Sequence, residues 1–374
     1  MKRLLLCWLF ICPAFMIKAQ LPDELNSLDT RAVNIPRAET NSTLSISKYI
    51  LVNYKTDREK LLAIYSWVTN NIRYDTDSMY VINSARNPEA RITEALRRRK
   101  GVCENFAAIF NDIAVKCGII SYEVSGYTKQ YGSVDKTAHT WCVVQLDKKW
   151  LFCDPTWDVG FSKNARYFLV TPAVFIGSHM PFDPLWQLLD HTVSHREFYT
   201  GNVDSKKDEP FLNFNDSVNA YLQLNELQQL ESAANRIRRS GIANELVKTR
   251  LTWLQMEISI IYQEKDMNIY NAAVADLNKA NIIFNEFVQY RNSRFIPLKP
   301  DLTIRSMLSP VDDLLWAAYK KLDLLDASAV NFQYDTGLLR DKLDHLTRRL
   351  REQKDFLKRY FDTAPAEREQ LFYH

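Results

Sequence analysis

Residues 101–110 read GVCENFAAIF, and this stretch decides how the first half of the chain folds. From Phe106 onward its apolar side chains recur at helical spacing, which predicts a buried helix that ends at Gly118. Cys103 is expected in the first turn of this helix, where backbone N–H groups and the positive end of the helix dipole surround its sulfur. A thiol in such a place loses its proton more readily, and the thiolate is a nucleophile. The alternative is a small apolar side chain at a helix start, and the cysteine alone does not separate the two.

A second predicted helix precedes this one. Asn87 can cap it and Pro88 suits its first position, while the basic residues 97–100 complement the dipole at its end. Gly101 is then expected to supply a left-handed turn between the two helices.

The length of 374 residues is typical of two or three domains, and the net charge of +3 gives no reason to expect a nucleic-acid partner. Residues 1–19 have the pattern of a signal peptide, because two basic residues precede the apolar run Leu4–Ile17, which is too short to span a membrane. We predict cleavage after Ala19 and export of the mature chain to the periplasm or the extracellular space, without a transmembrane segment. Cys12 follows the bulky Ile11, which argues against a lipoprotein anchor.

After Gly118 the apolar pattern changes to period two and predicts an antiparallel sheet. Residues 121–126 form one predicted strand, and a loop through residues 131–133 follows it. Residues 139–146 and 149–154 form a predicted hairpin around Asp147 and Lys148.

The register of this hairpin follows from a two-residue turn. Cys142 then lies opposite Cys153, while His139 and Asp154 share the other sheet face as diagonal neighbours. A slip by one residue would separate His139 from Asp154.

The mature chain contains four cysteines in no zinc-binding spacing. Cys103 and Cys117 lie on one helix, too far apart for a disulfide. Cys142 and Cys153 can form a cross-strand disulfide in an oxidising compartment, although two buried thiols are the interpretation that we favour.

The composition changes near residue 201. Residues 20–41 form a predicted polar lead-in, residues 42–200 a mixed domain and residues 201–374 an α-helical domain. The helical part contains amphipathic runs at Val218–Ile237, Leu246–Tyr262, Tyr270–Tyr290, Val311–Leu325 and Leu338–Tyr360. The last run keeps a heptad stripe that is broken only at Gln353. We interpret these stripes as the core of a helical bundle.

Three residues of the mixed domain together form a nucleophile, base and orienting set. Cys103 is the nucleophile at a helix start, His139 lies on a following strand and Asp154 lies on the paired strand. A lone strand histidine is more often a core residue, and an aspartate before proline is more often a turn signal. The order of these three residues in the chain, together with the hairpin register, makes the prediction of a catalytic set specific.

The same residues resemble the transglutaminase-like core of the papain-like superfamily. The similar segments are residues 64–75 (IYSWVTNNIRYD), 101–103 (GVC), 138–141 (AHTW), 146–150 (LDKKW) and 154–157 (DPTW). Residues 167–169 and 181–189 resemble the kyphoscoliosis-peptidase branch, and the resemblance extends over residues 42–200. It implies an α+β fold, with N-terminal helices packed on an antiparallel sheet, ahead of the all-α helical domain.

The resemblance also implies roles in acyl transfer on a protein or peptide amide. Cys103 would attack the carbonyl, His139 would protonate the leaving amine and Asp154 would fix the imidazole tautomer. The Cys103 main-chain N–H is the expected first oxyanion donor. The candidates for the rest of the oxyanion and substrate pocket are Trp67, Tyr74, Glu104 and Trp141. Glu104 departs from the family, which commonly has a small or glycine-containing pair after the nucleophile.

The acyl acceptor stays open at this point. Water gives a peptidase or amidase, which we favour, and an amine gives a crosslinking transglutaminase. A third possibility is a non-catalytic module of the cell envelope, with the helical domain binding an envelope partner. We expect no cofactor and no metal, although His191 and His195 are four residues apart with His179 nearby.

Overall fold

The structure is a computed structural model that describes residues 27–78, 87–160, 165–201, 213–325 and 335–373. The predicted signal peptide, residues 1–19, lies outside the described residues. The chain divides into two compact units, Met1–Leu254 and Gln255–His374. The domain boundary predicted between residues 200 and 201 stays a prediction.

The fold class is α+β, with helices packed on an antiparallel sheet and a large helical C-terminal region. The helices that accompany the sheet are α1 (Thr30–Val33), α2 (Thr43–Asn53), α3 (Asp57–Asn71), α4 (Pro88–Arg98), α5 (Cys103–Lys116), α6 (Pro172–Phe175) and α7 (His195–Thr200). The strands are β1 (Arg73–Tyr74), β2 (Lys100–Gly101), β3 (Ser121–Gln130), β4 (Ser133–Leu146), β5 (Lys149–Cys153) and β6 (His179–Pro181).

Helices α3 and α5 form the centre of the core of the first unit. A capping box between Thr56 and Glu59 begins α3. The buried face of α5, which includes Phe106 and Ile109, belongs to the same core as Cys142 on one face of the sheet. Full burial of a large apolar side chain contributes about 1.5–3 kcal/mol, so this interface is a main source of stability for the unit.

The predicted polar lead-in contributes to this core. Helix α1 lies within it, and Ala32 and Ile35 are buried. The main-chain N–H of Asp29 donates to the Ser66 hydroxyl at 2.8 Å, which ties the segment to α3. Two apolar residues among polar ones were too weak a pattern to predict this packing.

The four-stranded sheet has the order β5-β4-β3-β6, and β1 and β2 form a separate parallel pair. The predicted hairpin register is confirmed, because Leu146 pairs with Lys149 and Cys142 pairs with Cys153. Asp147 and Lys148 both have positive φ angles (51° and 61°), as a two-residue hairpin turn with a twist matching its strands requires.

Strand β3 continues beyond the predicted end at Gly126. Gly126 pairs with His139 on one side and with Pro181 on the other. A Cβ atom at residue 126 would lie 2.2 Å from the main-chain oxygen of Met180 and 2.5 Å from the Trp141 ring. The glycine therefore allows β6 to approach instead of ending the strand.

The helical part contains α8 (Phe214–Leu222), α9 (Glu226–Ser240), α10 (Glu245–Asn292), α11 (Asp301–Ser306), α12 (Ser309–Leu324) and α13 (Thr336–Asp362). The described helices include none that is both long enough and apolar enough to cross a membrane.

Two of the predicted helical runs differ from the structure. The run at 218–237 is divided between α8 and α9, because Asn225 caps α9 in a capping box with Gln228. The runs at 246–262 and 270–290 are one helix, α10, because no glycine or proline ends the helix between them. Charged residues at 264–266 interrupt the apolar stripe without breaking the backbone hydrogen bonds.

The heptad stripe of α13 is buried as predicted, at Leu339, Leu343, Leu346, Leu350, Leu357 and Tyr360. At the polar break in this stripe, the Gln353 side-chain oxygen accepts a hydrogen bond from the Arg291 guanidinium at 2.7 Å. Gln353 thus makes a specific polar contact with α10 at the break.

Candidate active site

Helix α5 begins at Cys103, so the thiol lies in the first turn of the helix. The Asn105 side-chain oxygen accepts a hydrogen bond from the main-chain N–H of Val102 at 2.9 Å, and its amide donates to the main-chain carbonyl of Arg91 at 3.3 Å. These bonds fix the backbone where it enters α5. The thiol is partly exposed, and the first N–H groups of a helix have no carbonyl partner within it.

The left-handed residue before α5 is Arg99 (φ 51°), and the prediction of Gly101 for this turn was wrong. Gly101 instead pairs with Tyr74 in the β1–β2 ladder. A Cβ atom at residue 101 would lie 2.6 Å from the Asn105 Cβ atom, so close packing is what requires the glycine. Arg99 is held by its guanidinium, which donates to the Thr40 hydroxyl at 2.6 Å.

His139 and Asp154 are hydrogen-bonded across the β4–β5 hairpin. The distance from His139 Nε2 to Asp154 Oδ2 is 2.6 Å, and both side chains are buried. The other oxygen, Asp154 Oδ1, accepts a hydrogen bond from the main-chain N–H of Thr156 at 2.9 Å. The carboxylate is therefore held at both oxygens and presents one of them to the imidazole.

The charges of this pair reinforce each other. Burial disfavours the imidazolium, but the charge and hydrogen bond of Asp154, with a contribution from Cys103, raise the pKa of His139 to about 10. Burial also disfavours the carboxylate, yet His139 and His179 outweigh this cost and hold the pKa of Asp154 well below its usual range. At neutral pH the pair is an imidazolium and a carboxylate.

The Cys103 thiol lies within interaction distance of His139. A hydrogen bond and the charge of Cys103 are among the causes of the raised His139 pKa. Because Nε2 of His139 bonds to Asp154, Nδ1 is the ring nitrogen left for the sulfur. The catalytic roles of Cys103 and His139 stay a prediction.

His179 is a site residue that the sequence reasoning did not place here. Its Nε2 lies 3.1 Å from the same Asp154 Oδ2 that bonds to His139, and its Nδ1 lies 2.8 Å from the Ser178 hydroxyl. Burial outweighs the charge of Asp154 and lowers the pKa of His179 to about 4, so this imidazole is neutral at physiological pH. No local pattern marks it, since it reaches the site through the pairing of β6 with β3.

Residues 45–155 match the family model of the transglutaminase-like superfamily. The region is a transglutaminase-like domain. The match includes α3, the Cys103 helix and the β4–β5 hairpin, which together supply Cys103, His139 and Asp154.

Two curated relatives are similar to the transglutaminase-like domain. Kyphoscoliosis peptidase from Homo sapiens is 31% identical over 168 residues, which is 40% of this chain and 24% of the relative. The LIM and transglutaminase domain protein ltd-1 from Caenorhabditis elegans is 24% identical over 202 residues, which is 47% of this chain and 27% of the relative. The chain therefore spans about a quarter of the length of the curated relatives that it matches.

A solved candidate cysteine protease from Cytophaga hutchinsonii is 23% identical, with a TM-score of 0.26 over 37% of this chain and 47% of that one. A solved TGase is 18% identical, with a TM-score of 0.24 over 34% of this chain and 35% of that one. These two similarities carry no argument about activity.

The four pocket candidates of the transglutaminase-like domain differ in their surroundings. Trp141 is buried with its ring centre 5.9 Å from that of His139. Trp67 is buried under the Arg99 guanidinium, 5.0 Å from its ring centre, and Tyr74 packs on Phe106. The indole N–H groups of Trp67 and Trp141 are buried and have no hydrogen-bond partner among the described residues.

The fourth pocket candidate, Glu104, is about half exposed and lies 3.5 Å from the Arg91 guanidinium. Of the four candidates, Trp141 is the one with a ring contact to His139 among the described residues.

The described residues contain one group with metal-like spacing: the donor atoms of His139, Asp154 and His179 lie within 4.8 Å of one another. The two N–O separations of 2.6 and 3.1 Å in this group are those of hydrogen bonds. His195, four residues after His191, bonds to the Tyr127 hydroxyl at 3.1 Å and to the Phe182 carbonyl at 2.9 Å. Both ring nitrogens of His195 therefore have structural partners.

Proposed function

We propose that this protein is an exported, cysteine-dependent acyl-transfer enzyme that hydrolyses protein or peptide amides. The observation that carries the proposal is the 2.6 Å hydrogen bond between the buried His139 and Asp154, beside a cysteine at a helix start. A histidine kept charged by a buried carboxylate can stabilise a neighbouring thiolate. A scaffold would not require these three groups together.

The first half of the proposed reaction forms a thioester. The Cys103 thiolate attacks the amide carbon, and the developing oxyanion accepts a hydrogen bond from the Cys103 main-chain N–H at the start of α5. The tetrahedral intermediate collapses by breaking the C–N bond while the His139 imidazolium gives its proton to the departing amine. Once the sulfur has bonded to the carbonyl carbon, its negative charge is gone, which makes His139 a better acid in this step.

The second half releases the acyl group. Neutral His139 takes a proton from water, whose oxygen attacks the thioester carbon. The C–S bond then breaks, which gives a carboxylic acid and restores the thiolate and the imidazolium. Asp154 keeps the imidazole oriented through both halves and does not itself take up the proton.

The first test is the alkylation rate of Cys103 against pH, followed by peptide mass mapping so that Cys117, Cys142 and Cys153 do not contribute. Wild type should react fast below about pH 7, and His139→Ala should lose that advantage. A rate that rises only near pH ~8.5, as for an ordinary thiol, would remove the main support for an enzyme and favour the scaffold alternative.

The acceptor is tested separately with an unfolded protein substrate and a fluorescent primary amine. Hydrolysis predicts new peptide ends and little amine incorporation, with both signals lost in Cys103→Ser. Incorporation of the amine in preference to cleavage would assign crosslinking instead.

Export and an envelope partner for the helical domain are further parts of the proposal. The leader pattern of residues 1–19 supports export. Deleting these residues should retain the protein inside the cell, whereas unchanged export would contradict it. The partner is tested by comparing how much of the exported wild-type protein is recovered with envelope fractions against a variant with charged substitutions on the helical surface.

A further inference from the structure

Asp154 is held by two histidines at one carboxylate oxygen. His139 Nε2 and His179 Nε2 lie 2.6 and 3.1 Å from Oδ2, while Oδ1 accepts from the Thr156 main chain. The sequence reasoning assigned Asp154 a single imidazole partner.

The direction of the His179 hydrogen bonds follows from its surroundings. Burial keeps His179 neutral, so its ring carries one proton. A carboxylate only accepts, which places this proton on Nε2, facing Asp154. Nδ1 is then the acceptor, and the Ser178 hydroxyl at 2.8 Å donates to it.

The His179 ring is fixed in place on several sides. It stacks on Phe175 with ring centres 4.0 Å apart, and the Trp157 ring centre is 4.3 Å away. Its backbone pairs with Thr128 of β3, and its side chain is completely buried. The hydrogen bond to Asp154 is thus preorganised rather than formed when substrate binds.

His139 is a charged imidazolium beside the Asp154 carboxylate for only part of the proposed cycle. After His139 gives its proton to the leaving amine, a buried carboxylate faces a neutral ring, which is costly without other donors. His179 still donates at that moment, because it is neutral throughout. Asp154 can therefore stay ionised and in place, ready for His139 to take a proton from water.

We propose that His179 is a positioning residue that keeps Asp154 ionised and oriented while His139 changes charge. This inference rests on the proposed function, since it assigns His179 a part in the same site. His179 acts through Asp154. It is not assigned a contact with Cys103 or with the substrate.

The test compares His179→Phe, which removes the donor, with His179→Gln, whose amide can still donate to Asp154. Each is assayed by the Cys103 alkylation rate against pH, with circular dichroism as the check on folding. At about pH 6, Cys103 in His179→Phe should be alkylated about tenfold more slowly than in wild type. As the pH is lowered, its alkylation rate should also begin to fall at a higher pH than in wild type. Both effects are expected because the charged Asp154 carboxylate loses a hydrogen bond. His179→Gln should stay within about threefold of wild type, since one charge-assisted bond is kept.

A second measurement does not depend on the variants folding. In nitrogen-15 histidine spectra of the wild-type protein, His179 should stay neutral and protonated on Nε2 from about pH 5 to 9. Contacts of its ring with Phe175 and Trp157 distinguish its signal from that of His195, whose Nε2 bonds to the Phe182 carbonyl. A charged His179, or a proton on Nδ1, overturns the proposal.

The positioning role of His179 and the proposed enzyme activity are contradicted by different results. A fast low-pH reaction in wild type that His179→Phe leaves unchanged overturns the positioning role and leaves the enzyme proposal standing. An ordinary thiol profile in wild type overturns both. Equal losses of the Cys103 alkylation rate in folded His179→Gln and His179→Phe would assign His179 a packing role only.

Discussion

The Tyr65 hydroxyl lies 2.8 Å from the main-chain carbonyl of Asp154 and joins α3 to the end of β5. The same hydroxyl lies 2.5 Å from Oδ2 of Asp158, a buried carboxyl that also accepts from the main-chain N–H of Tyr167 at 2.8 Å. Asp154 is therefore fixed through its backbone as well as through its carboxylate. The aspartate that bonds to His139 is therefore buried within the unit.

Asp158 gives the first prediction. Burial, which outweighs its hydrogen bonds, raises the pKa of Asp158 to about 6. The folded chain then binds a proton that the unfolded chain has released, so stability falls as the pH rises from about 4 to 6. Asp158→Asn should remove this loss and gain up to about 2 kcal/mol relative to wild type at about pH 7.5. Urea unfolding at both ends of this range measures it, and an unchanged pH slope in the variant would contradict it.

The His139–Asp154 pair gives a second prediction with a wider window. The raised pKa of His139, about 10, means that its contribution to stability is complete below about pH 6.5 and is lost as the pH rises through about 10. Cys103 also contributes to the raised pKa of His139, so the measurement is made in a Cys103→Ala background, which isolates the pair with Asp154. There, unfolding free energy should fall above about pH 6.5, and adding His139→Gln should flatten the curve.

Asp154 sets the acid side of the same curve. Its lowered pKa gives stability that is present above about pH 4 and is lost as the pH falls further.

On the alkaline side, a Cys103→Ala protein that is equally stable at about pH 6.5 and pH 9.5 would contradict the charged pair of His139 and Asp154.

A third prediction concerns Gly126, between the strands that carry His139 and His179. Gly126→Ala would place a Cβ atom 2.2 Å from the Met180 carbonyl oxygen, so β6 must shift. We expect a loss of about 3 kcal/mol or more in stability, together with slower Cys103 alkylation. Gly177→Ala is the control, because its nearest neighbour is 3.3 Å away. Equal, small effects of the two substitutions would show that β6 does not need the close approach.

The fourth prediction is that metal removal leaves the site unchanged. The nitrogen–oxygen distances around Asp154 fit hydrogen bonds, in which His139 and His179 each donate the proton on Nε2. Dialysis against EDTA should leave the alkylation profile of Cys103 within about twofold of the starting protein, and added Zn²⁺ should not restore or raise it. Loss of the low-pH reaction on chelation, with recovery on adding Zn²⁺, would assign a metal to His139, Asp154 and His179.

The parts of the site that the sequence predicts are those with short-range causes. A two-residue turn fixes which side chains of a hairpin share a face, so His139 and Asp154 follow from counting. The start of α5 likewise follows from apolar spacing around Cys103. His179 could not be found in this way, because the pairing of β6 with β3 joins segments about 50 residues apart.

The helical part shows the same limit. The positions of α12 and α13 follow from their apolar stripes, since the side chains on one face share a single core. Where a stripe fades, as near residue 264, the pattern cannot tell a polar turn of helix from a loop. The break before α9 depends on the Asn225 cap, a local polar contact that apolar spacing does not report.

The hydrogen bonds around Asp154 also determine how much of the chain must fold before the proposed site is complete. Its bonding partners lie 15, 25 and 89 residues away in sequence, at His139, His179 and Tyr65. A chain that ends before β6 carries Cys103 and His139 without the complete set of groups that hold Asp154. Under the proposed function, activation of Cys103 therefore requires the pairing of β6 with β3.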